Sequence, residues 1–425
     1  MSAEAEFAVT VDQNAYLSVG ATRVDAVVSV TATGDATPAV ATEALEMLII
    51  DTSGSMQGDR IASARTATAV AIEQLRDGVL FAVISGATSA RQVYPKRGAV
   101  RADAGTRAEA VAAVRKLSAS GGTAFSNWLT LARQIAEQHP GAIRHALLLT
   151  DGENGDGRGV LEQAIEECVG VFSCDCRGIG TDWKVAEVRK IASALLGTVD
   201  IVANPENLAA DFHAIMNSAM GKRVADVSLR LWTPKGAQVK FVKQVAPEVE
   251  DLTAKRVQTG PLHGDYPLGA WGAESREYHV CVEVLTQAVG AEMLACRAMV
   301  VRGGSAETLA QGLIRAVWTD DDALSAKVSR KVAHYTGQSE YADAVEHGLA
   351  ARRDGDERTA TARLGRAVAL ATAAGDREKL DMLAKVVDVD DAATGTVRLK
   401  SKVSNEAEME LDIRSRRTSR IRGEG

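Results

Sequence analysis

The sequence contains 425 residues, of which 46% are hydrophobic and 25% are charged, and its formal net charge is −7. This length exceeds what one ordinary hydrophobic core supports, so two or three domains are expected. The acidic balance argues against a nucleic-acid partner, because proteins that bind nucleic acid usually present a basic surface. The sequence shows no secretory signal, no membrane-spanning run and no disulfide pattern among its five cysteines, which predicts a cytoplasmic protein without membrane attachment.

Residues 1–42 contain two segments in which apolar and polar residues alternate, at 7–11 and 24–30. A period of two places every second side chain on the same face of a strand, and such alternation is typical of half-buried antiparallel strands. We therefore interpret residues 1–42 as the first strands of a β-sandwich.

Residues 43–221 alternate short apolar runs with segments of helical periodicity, which is the pattern of a doubly wound, Rossmann-like α/β domain. The predicted strands are residues 47–50, 79–85, 145–150, 171–177 and 199–202. The predicted helices are residues 61–76, 106–117, 125–138, 160–167, 184–196 and 206–220. Ligands of such sheets bind outside the carboxyl ends of the strands, so the residues that directly follow the strands are the first candidates for function.

Hydroxyl and carboxylate side chains lie in three of the predicted loops. Asp51, Ser53 and Ser55 come directly after the first strand, Thr123 follows a pair of glycines, and Asp151 follows the third strand. Each piece alone is common in turns and helix caps, because Asp and Ser bond locally to backbone amides. Together they form a set of oxygen ligands that suits a hard cation such as Mg²⁺ or Mn²⁺.

In order and residue type, these positions resemble the metal-ion-dependent adhesion site of the von Willebrand factor type A family. The family's motif is Asp-x-Ser-x-Ser, then a distant Thr and a more distant Asp. The resemblance implies a site for Mg²⁺, with Mn²⁺ or Ca²⁺ as alternatives, at Asp51, Ser53, Ser55, Thr123 and Asp151. It further implies that the three hydroxyls bind the cation directly, that the two aspartates act mostly through water, and that an Asp or Glu of a partner protein completes the ligand shell.

Residues 222–304 return to a period of two, at 227–231, 239–241, 278–284 and 292–301. Strands of one type on both sides of the α/β domain predict that the flanks form a single discontinuous antiparallel β-sandwich, into which residues 43–221 are inserted. Sandwiches of this kind occur in larger members of the family that the chain resembles.

Residues 305–387 shift towards the helical period and are predicted to form a C-terminal helical subdomain. Two Ala-rich helices, at 341–352 and 359–374, resemble a single tetratricopeptide-like hairpin. One hairpin is not a repeat array, so a packed subdomain that serves stability is the favoured interpretation. For the segment 308–318, the sequence does not decide between a helix and a strand.

Residues 388–425 separate an acidic block from a basic block and are predicted to form a mobile interaction tail. Acidic and apolar residues alternate at 406–413, a pattern that could also add an edge strand to a partner's sheet. The chain, and this tail in particular, looks like actinobacterial von Willebrand factor type A proteins that are associated with Ser/Thr kinases and forkhead-associated domains. That likeness implies Thr394 and Thr396 as phosphorylation sites, and such a domain or kinase as a partner.

The leading functional hypothesis is a non-enzymatic protein-binding module that depends on a divalent cation and acts in Ser/Thr phosphorylation signalling. The alternative is a metal-independent scaffold that acts through the helical region and a phosphorylatable tail. A third interpretation is a Mg-dependent phosphoryl-transfer enzyme, because Asp51 at a strand end could accept a phosphoryl group. Against an enzyme, Ser53 stands where a second aspartate would be needed, and none of the seven histidines lies in the three loops.

Overall fold

The computed structural model describes residues 6–33, 43–202, 207–303 and 307–420. The chain divides into two compact units. One unit is Thr37–Ala225, and the other joins Met1–Ala36 to Asp226–Gly425. The α/β segment is therefore inserted in a unit that is built from both of its flanks.

The helices and strands follow one another in three groups. The first flank contains β1 (Glu6–Gln13), β2 (Tyr16–Ser18) and β3 (Arg23–Thr33). The inserted unit contains β4 (Ala44–Asp51), α1 (Asp59–Glu73), β5 (Leu80–Gly86), β6 (Ala90–Tyr94), β7 (Val100–Arg101), α2 (Ala104–Val114), α3 (Phe125–Ala136), β8 (Ile143–Thr150), α4 (Val160–Cys168), β9 (Ser173–Ile179), α5 (Val185–Ala194), β10 (Val199–Val202) and α6 (Leu208–Met220). The second flank contains β11 (Val224–Trp232), β12 (Gln238–Ala246), β13 (Glu250–Asp251), β14 (Val257–Gly260), β15 (His263–Trp271), β16 (Glu274–Glu283), β17 (Glu292–Arg302), β18 (Thr308–Thr319), α7 (Asp322–Ser325), α8 (Arg330–Arg353), α9 (Glu357–Ala374), α10 (Arg377–Ala384), β19 (Val387–Asp391), β20 (Thr396–Leu399) and α11 (Asn405–Arg414).

Within the described residues, the sheet of the inserted unit has the order β10-β9-β8-β4-β5-β6, and β7 also pairs with β5. Strands β10, β9, β8, β4 and β5 run parallel, whereas β6 and β7 are antiparallel to β5. Helices α1, α2 and α6 cover one face, where they share a core cluster with Leu48, Ile50 and Phe81. On the other face the ring of Trp128 in α3 lies directly over Gly86. Since both faces are covered, the central strands are continuous apolar runs, and the predicted doubly wound fold is confirmed.

The two flanks form the predicted β-sandwich, which is antiparallel except where the short strand β2 pairs in parallel with β18. In the part of the chain that is described, its sheets have the orders β1-β3-β16-β12-β13 and β14-β15-β11-β17-β18-β2. Strand β3 pairs with β1 and with β16, so the first flank is hydrogen-bonded to the second. The inner faces pack on each other: the rings of Phe7 in β1 and Trp271 in β15 are 5.7 Å apart. A side chain at Gly312 of β18 would clash with Val9 and Val11 of β1.

The predicted start of the helical subdomain at residue 305 is wrong. Residues 308–319 form β18, which pairs with β17 and extends the sandwich, so the helices begin only at α7. Buried Ile314, Ala316 and Trp318 have the period of a strand. Leu313 directly before Ile314 and Val317 directly before Trp318 are further apolar residues, and they hide the alternation in the sequence.

The prediction of a mobile tail at 388–425 is wrong for the part that the structure describes, which extends to residue 420. Strands β19 and β20 form a hairpin, and α11 packs into the helical core. The proposed edge strand at 406–413 is a helix, because its apolar residues are also spaced by four, as in the buried pair Ala407 and Leu411. Ser404 caps this helix by accepting a hydrogen bond from the amide of Ala407 at 3.2 Å.

Residues beyond α11 are anchored within the same unit. The amide of Val249 donates to the carbonyl of Arg416 at 2.8 Å. The Arg416 guanidinium forms an ion pair of 2.7 Å with Glu346 of α8. Thr394 lies in the turn of the β19–β20 hairpin and Thr396 begins β20; both are exposed, and their hydroxyls lie 2.9 Å apart. The candidate phosphorylation sites thus belong to an ordered hairpin.

Two further predictions concern membranes and thiols. Within the described ranges, no helix is both long and apolar enough to cross a membrane.

All five cysteines are buried, and none forms a disulfide bond. Cys174 and Cys176 lie on the same face of β9 with their Sγ atoms 3.9 Å apart.

Candidate metal-binding site

The five residues of the predicted cation site meet at one edge of the sheet. Asp51 ends β4, and Asp151 directly follows β8, which is the parallel neighbour of β4. Ser53 and Ser55 lie in the short turn between β4 and α1, and Thr123 precedes α3. Because neighbouring parallel strands end at the same edge of a sheet, the topology alone brings the two aspartates together.

A chain of hydrogen bonds connects the side chains of the first and last loops. The hydroxyls of Ser53 and Ser55 are 2.9 Å apart, and Ser55 Oγ donates to Asp151 Oδ1 at 2.7 Å. Asp51 Oδ1 accepts from the amide of Ser53 at 2.7 Å, and Asp51 Oδ2 accepts from Thr150 Oγ1 at 2.6 Å. Both aspartate side chains are fully buried, so this geometry is fixed by packing as well as by hydrogen bonds.

Gly152 marks the point on which the site converges. A Cβ atom placed on Gly152 would lie 3.1 Å from Thr123 Oγ1, 3.3 Å from Ser55 Oγ and 3.9 Å from Asp51 Oδ2. Oxygen atoms from the β4–α1 segment and from the loop before α3 therefore face one small space beside the loop after β8, and any side chain at position 152 would enter this space. The sequence suggests an ordinary turn at this glycine, whereas the structure gives it the role of keeping the space between the ligands open.

Backbone contacts hold the three loops against one another. The amide of Gly54 donates to the carbonyl of Gly121 at 2.8 Å, which joins the loop after β4 to the loop before α3. The amide of Gly155 donates to the carbonyl of Thr123 at 2.7 Å, which joins the loop after β8 to the same segment. The position of the Thr123 hydroxyl is thus set by both neighbouring loops.

Asp156 supports the Thr123 loop, a role for which the sequence carries no clear signal. Its carboxylate accepts from the amide of Ser126 at 2.8 Å and from the Ser126 hydroxyl at 2.6 Å. Asn154 Oδ1 accepts from the amide of Phe125 at 3.2 Å. These contacts satisfy first-turn amides of α3, which otherwise lacks a side-chain cap.

Arg60 is a component of the site that the sequence analysis missed. Its guanidinium donates to Asp151 Oδ2 at 2.7 Å and to Asp182 Oδ2 at 2.6 Å. Arg60 lies in the first turn of α1, and Asp182 comes from the loop after β9, far away in the sequence. The positive charge of Arg60 compensates the buried carboxylate of Asp151. Among the hydrogen bonds of the described residues, none joins Arg60 to Asp51.

The electrostatics of Asp51 favour a positive charge in the site. Burial raises the pKa of Asp51 above its ordinary value, and the neighbouring Asp151 raises it further, whereas hydrogen bonds from Ser53 and Thr150 oppose the shift. The surroundings of the Asp51 carboxylate therefore compensate its negative charge only in part. A cation in the space beside Gly152 would offset the free-energy cost of burying this charge.

The donor set fits a hard divalent cation. In the described part of the chain, no three His, Cys, Asp or Glu side chains lie close enough together to hold a metal ion. A cation at Asp51 and Asp151 would therefore take its other protein ligands from hydroxyl oxygens. Two serines, a threonine and two aspartates offer oxygen only, which suits Mg²⁺, Mn²⁺ or Ca²⁺ rather than a metal that prefers nitrogen or sulfur. The space beside Gly152 gives these oxygens a common target.

Comparison with known proteins matches two parts of the chain to described families. Residues 47–201 match the von Willebrand factor type A domain, and residues 369–415 match the von Willebrand factor type A C-terminal domain. Over 99% of its length the chain is similar to the solved structure of a von Willebrand factor type A protein from Catenulispora acidiphila, with 49% sequence identity, a TM-score of 0.94 and 98% of that chain covered.

Two more distant relatives extend the comparison. The chain is similar to the ArnB paralog VWA2 from Sulfolobus acidocaldarius, with 13% identity, a TM-score of 0.59, and 97% of this chain and 98% of that chain covered; at this identity the likeness concerns the fold alone. It is also 30% identical over 215 residues to an uncharacterized protein of Synechocystis, which covers 49% of this chain and 50% of that protein. The chain thus spans about half the length of that relative.

Proposed function

The chain belongs to the von Willebrand factor type A family, whose domains typically mediate protein–protein interactions, and we propose that it is a protein-binding module that depends on a divalent cation. Ser53, Ser55 and Thr123 would hold Mg²⁺, or Mn²⁺ or Ca²⁺, through their hydroxyls. Asp51 and Asp151 would act mostly through water, by orienting the water molecules that bind the cation. The bound cation would supply the positive charge that attracts an Asp or Glu of a partner protein.

The observation that supports this proposal best is the convergence of three loops on the space beside Gly152. Oxygen atoms of Thr123, Ser55 and Asp51 lie within 3.9 Å of one point there. The direct ligands are neutral hydroxyls, and both aspartates already accept hydrogen bonds from protein groups. A site built in this way leaves most of the cation's charge available for an incoming carboxylate.

We also propose that the site is not catalytic. Each of its four carboxylate oxygens accepts a hydrogen bond of 2.7 Å or less: Asp51 from Ser53 and Thr150, and Asp151 from Ser55 and Arg60. A phosphoryl-accepting aspartate needs an oxygen that its substrate can reach, whereas both of these side chains are fully buried. These contacts favour a structural role for both carboxylates, and incubation with a phosphoryl donor should leave Asp51 unmodified.

Calorimetric titration of Mg²⁺ and Mn²⁺ into the full chain tests the proposal. We expect one saturable site in the wild type and a loss of affinity of about 100-fold or more in the double variant Ser53→Ala/Ser55→Ala, which lacks two ligands. Thr66→Ala is the matched control, because it removes an exposed hydroxyl of α1 away from the site. Unchanged affinity in the double variant, or no binding by the wild type, would reject the proposed site.

The same titration has a second arm in which the expected change has the opposite sign. Arg60→Gln removes the positive charge that now contacts Asp151, so the site becomes more negative and should bind the cation more tightly. The Arg60 side chain is about one-third exposed, and solvent screening limits the gain to roughly threefold. Weaker binding in this variant would mean that Arg60 is needed to orient Asp151.

For the partner, we propose a link to Ser/Thr phosphorylation at Thr394 and Thr396. Both hydroxyls are exposed on the β19–β20 hairpin and thus accessible to a Ser/Thr kinase. A phosphothreonine there would carry close to two negative charges and fit the Arg-lined pocket of a forkhead-associated domain. Phosphopeptide mapping of the protein from its native cells should find at least one of the two modified. If both remain unmodified under all growth conditions, this link is wrong. Thr359, an exposed threonine of α9, is the internal reference for such mapping.

A further inference from the structure

The sheet of the inserted unit ends in strand β6, which has a free edge. In the described part of the chain, β6 is the last strand on its side of the sheet and pairs with β5 alone. None of its five residues is fully buried, whereas every residue of β5 is. Such an edge presents unpaired backbone N–H and C=O groups to the solvent over roughly 17 Å.

The chain around this edge is basic, although the protein as a whole is acidic. Residues 87–117, which contain β6, β7 and α2, hold seven Lys or Arg and only two Asp or Glu, in a chain with a net charge of −7. Arg91 of β6 is exposed, as are Lys96 and Arg97 in the turn that follows it. Among the described residues, the side chains of these three cations form no ion pair and no hydrogen bond. Their charge is therefore available to a partner.

The basic edge is continuous with the surface around the proposed cation site. In the sheet, Asp51 of β4 stands beside Gly86 of β5, and Gly86 stands beside Ala90 of β6. Because neighbouring strands are about 4.8 Å apart, the start of β6 lies roughly 10 Å from Asp51. The turn between β5 and β6 also contacts the loop before α3, where Thr88 Oγ1 accepts a hydrogen bond from the amide of Gly122 at 2.8 Å.

The charges at the edge select the kind of chain that can pair with it. Backbone groups alone would accept any extended segment, because strand addition uses main-chain hydrogen bonds. A second copy of β6 would place the same cations opposite one another, and like charges across paired strands are destabilising. An acidic segment would instead form charge-assisted hydrogen bonds with side chains that have no other partner to give up.

We propose that the β6 edge binds an extended acidic segment of a partner protein by strand addition. The backbone of the segment pairs with Ala90–Tyr94, and its carboxylates contact Arg91, Lys96 and Arg97. The added strand lies roughly 15 Å from Asp51, a gap that about four or five extended residues span. The same segment therefore reaches the cation with a further Asp or Glu; this last step rests on the proposed function, whereas pairing at the edge does not.

The test measures fluorescence anisotropy of a labelled octapeptide with four Glu-Thr repeats, titrated with the full chain in EDTA. The chelator removes any contribution of a divalent cation, so only the edge is measured. We expect saturable binding, and binding at least about tenfold weaker for the Gln-Thr analogue, which has no charge. A Glu-Thr peptide that is N-methylated at all eight residues keeps its charge and loses its backbone donors, so it should also bind at least about tenfold more weakly.

Two triple variants with the same net charge locate the binding surface. Arg91→Glu/Lys96→Glu/Arg97→Glu reverses the charge of the edge and should lose at least about tenfold in affinity for the Glu-Thr peptide. Lys235→Glu/Lys327→Glu/Lys402→Glu is the matched control, because it reverses three exposed lysines outside the inserted unit and should bind within about twofold of the wild type. Circular dichroism and thermal unfolding verify that both variants are folded.

Four results would overturn the proposal. They are no binding of the Glu-Thr peptide by the wild type, equal losses in the two triple variants, equal binding of the N-methylated peptide, and tighter binding of an eight-nucleotide oligothymidylate. The last two would make the surface a general polyanion patch. Since the N-methylated peptide and the oligonucleotide are tested on the wild type, the test does not depend on the folding of any variant.

A longer probe separates this inference from the proposed function. It carries Asp-Gly-Ser-Gly-Ser before the four Glu-Thr repeats, so that its aspartate reaches the proposed cation. Replacing EDTA by Mg²⁺ should increase its affinity, and Ser53→Ala/Ser55→Ala should lose this gain and retain binding in EDTA. Binding in EDTA without a gain from Mg²⁺ would reject the cation-dependent function and support the edge.

Discussion

Asp51→Asn is expected to have two effects of opposite sign: it should stabilise the cation-free protein and weaken cation binding. Asp51 is buried, and burial together with the adjacent Asp151 makes its charge unfavourable without a cation. Asparagine keeps the shape, still accepts the hydrogen bond from the Ser53 amide and can donate to Thr150 Oγ1. The free energy of unfolding should therefore rise by about 1–2 kcal/mol in the absence of cation.

The same substitution removes half of the negative charge that orients the waters of the proposed site. We expect cation affinity to fall by about 10–100-fold, as for groups that support metal ligands elsewhere. Urea unfolding with and without Mg²⁺ reads out both effects, because a cation that binds only the folded state raises its stability. Glu73→Gln is the matched control, since it neutralises an exposed carboxylate of α1.

The decisive pattern is a crossover. Without cation the Asp51→Asn variant should be the more stable protein, and with saturating Mg²⁺ the wild type should be. A variant that is less stable under both conditions would show that Asp51 serves packing alone. A variant that gains as much from Mg²⁺ as the wild type would place the cation elsewhere.

His145→Leu is expected to destabilise the inserted unit strongly. His145 Nδ1 lies 2.7 Å from Glu46 Oε2, and His145 Nε2 lies 3.0 Å from Asp175 Oδ2. Both His145 and Glu46 are buried in the sheet. Removal of the ring leaves two carboxylates without their shared cation, and breaking a buried ion pair in this way costs about 3–5 kcal/mol.

This ion triad also gives stability a defined pH dependence. Burial disfavours the charged imidazole, but Glu46 and Asp175 outweigh it and raise the pKa of His145 to about 10. A group whose pKa is raised on folding contributes fully below its unfolded value, about 6.5, and loses the contribution as the pH rises towards the folded value. The wild type should therefore lose stability between about pH 6.5 and pH 10, with a slope of at most roughly 1.4 kcal/mol per pH unit from this group.

Urea unfolding at several pH values across this window compares the wild type with His145→Leu. The difference between them should be largest at the lower end of this window, near pH 6.5, and should shrink as the pH rises towards 10. His213→Gln is the control, because His213 is exposed on α6 and contacts only Asn217 among the hydrogen bonds of the described residues. A difference that is independent of pH would mean that His145 is uncharged and acts by packing.

The tertiary structure added to the metal site what the sequence lacks. Arg60 and Asp182 are 122 residues apart and follow no motif, so the sequence carries no local signal for their ion pair beside Asp151. Gly152 has the sequence of an ordinary turn, and its importance lies in the distances to Thr123 and Ser55. The short edge strand β6 was also missed, because its half-exposed residues lack the apolar run of the central strands.

The C-terminal region shows where a local pattern misleads. The block around α11 has high charge and few large apolar residues, which is the composition of a mobile segment. Its charges are instead paired within the fold, as Glu408 is with Arg352 at 2.8 Å and Glu410 is with Arg414 at 2.6 Å. Leu411 is completely buried in the core of α8 and α9. Burial against a distant helix overrides composition because it depends on residues that the local window does not contain.

The sequence by itself determined the class of the fold and supplied the five candidate oxygen ligands, because hydrophobic periodicity and a motif with fixed order are properties of the chain alone. Only the tertiary structure decided the order of the strands in each sheet, the partners of the charges, the space beside Gly152, the strand at 308–319 and the packed carboxyl-terminal helix. Each of these depends on atoms that meet from distant segments. Their energies are set by burial and distance, and neither quantity can be read from a local stretch of residues.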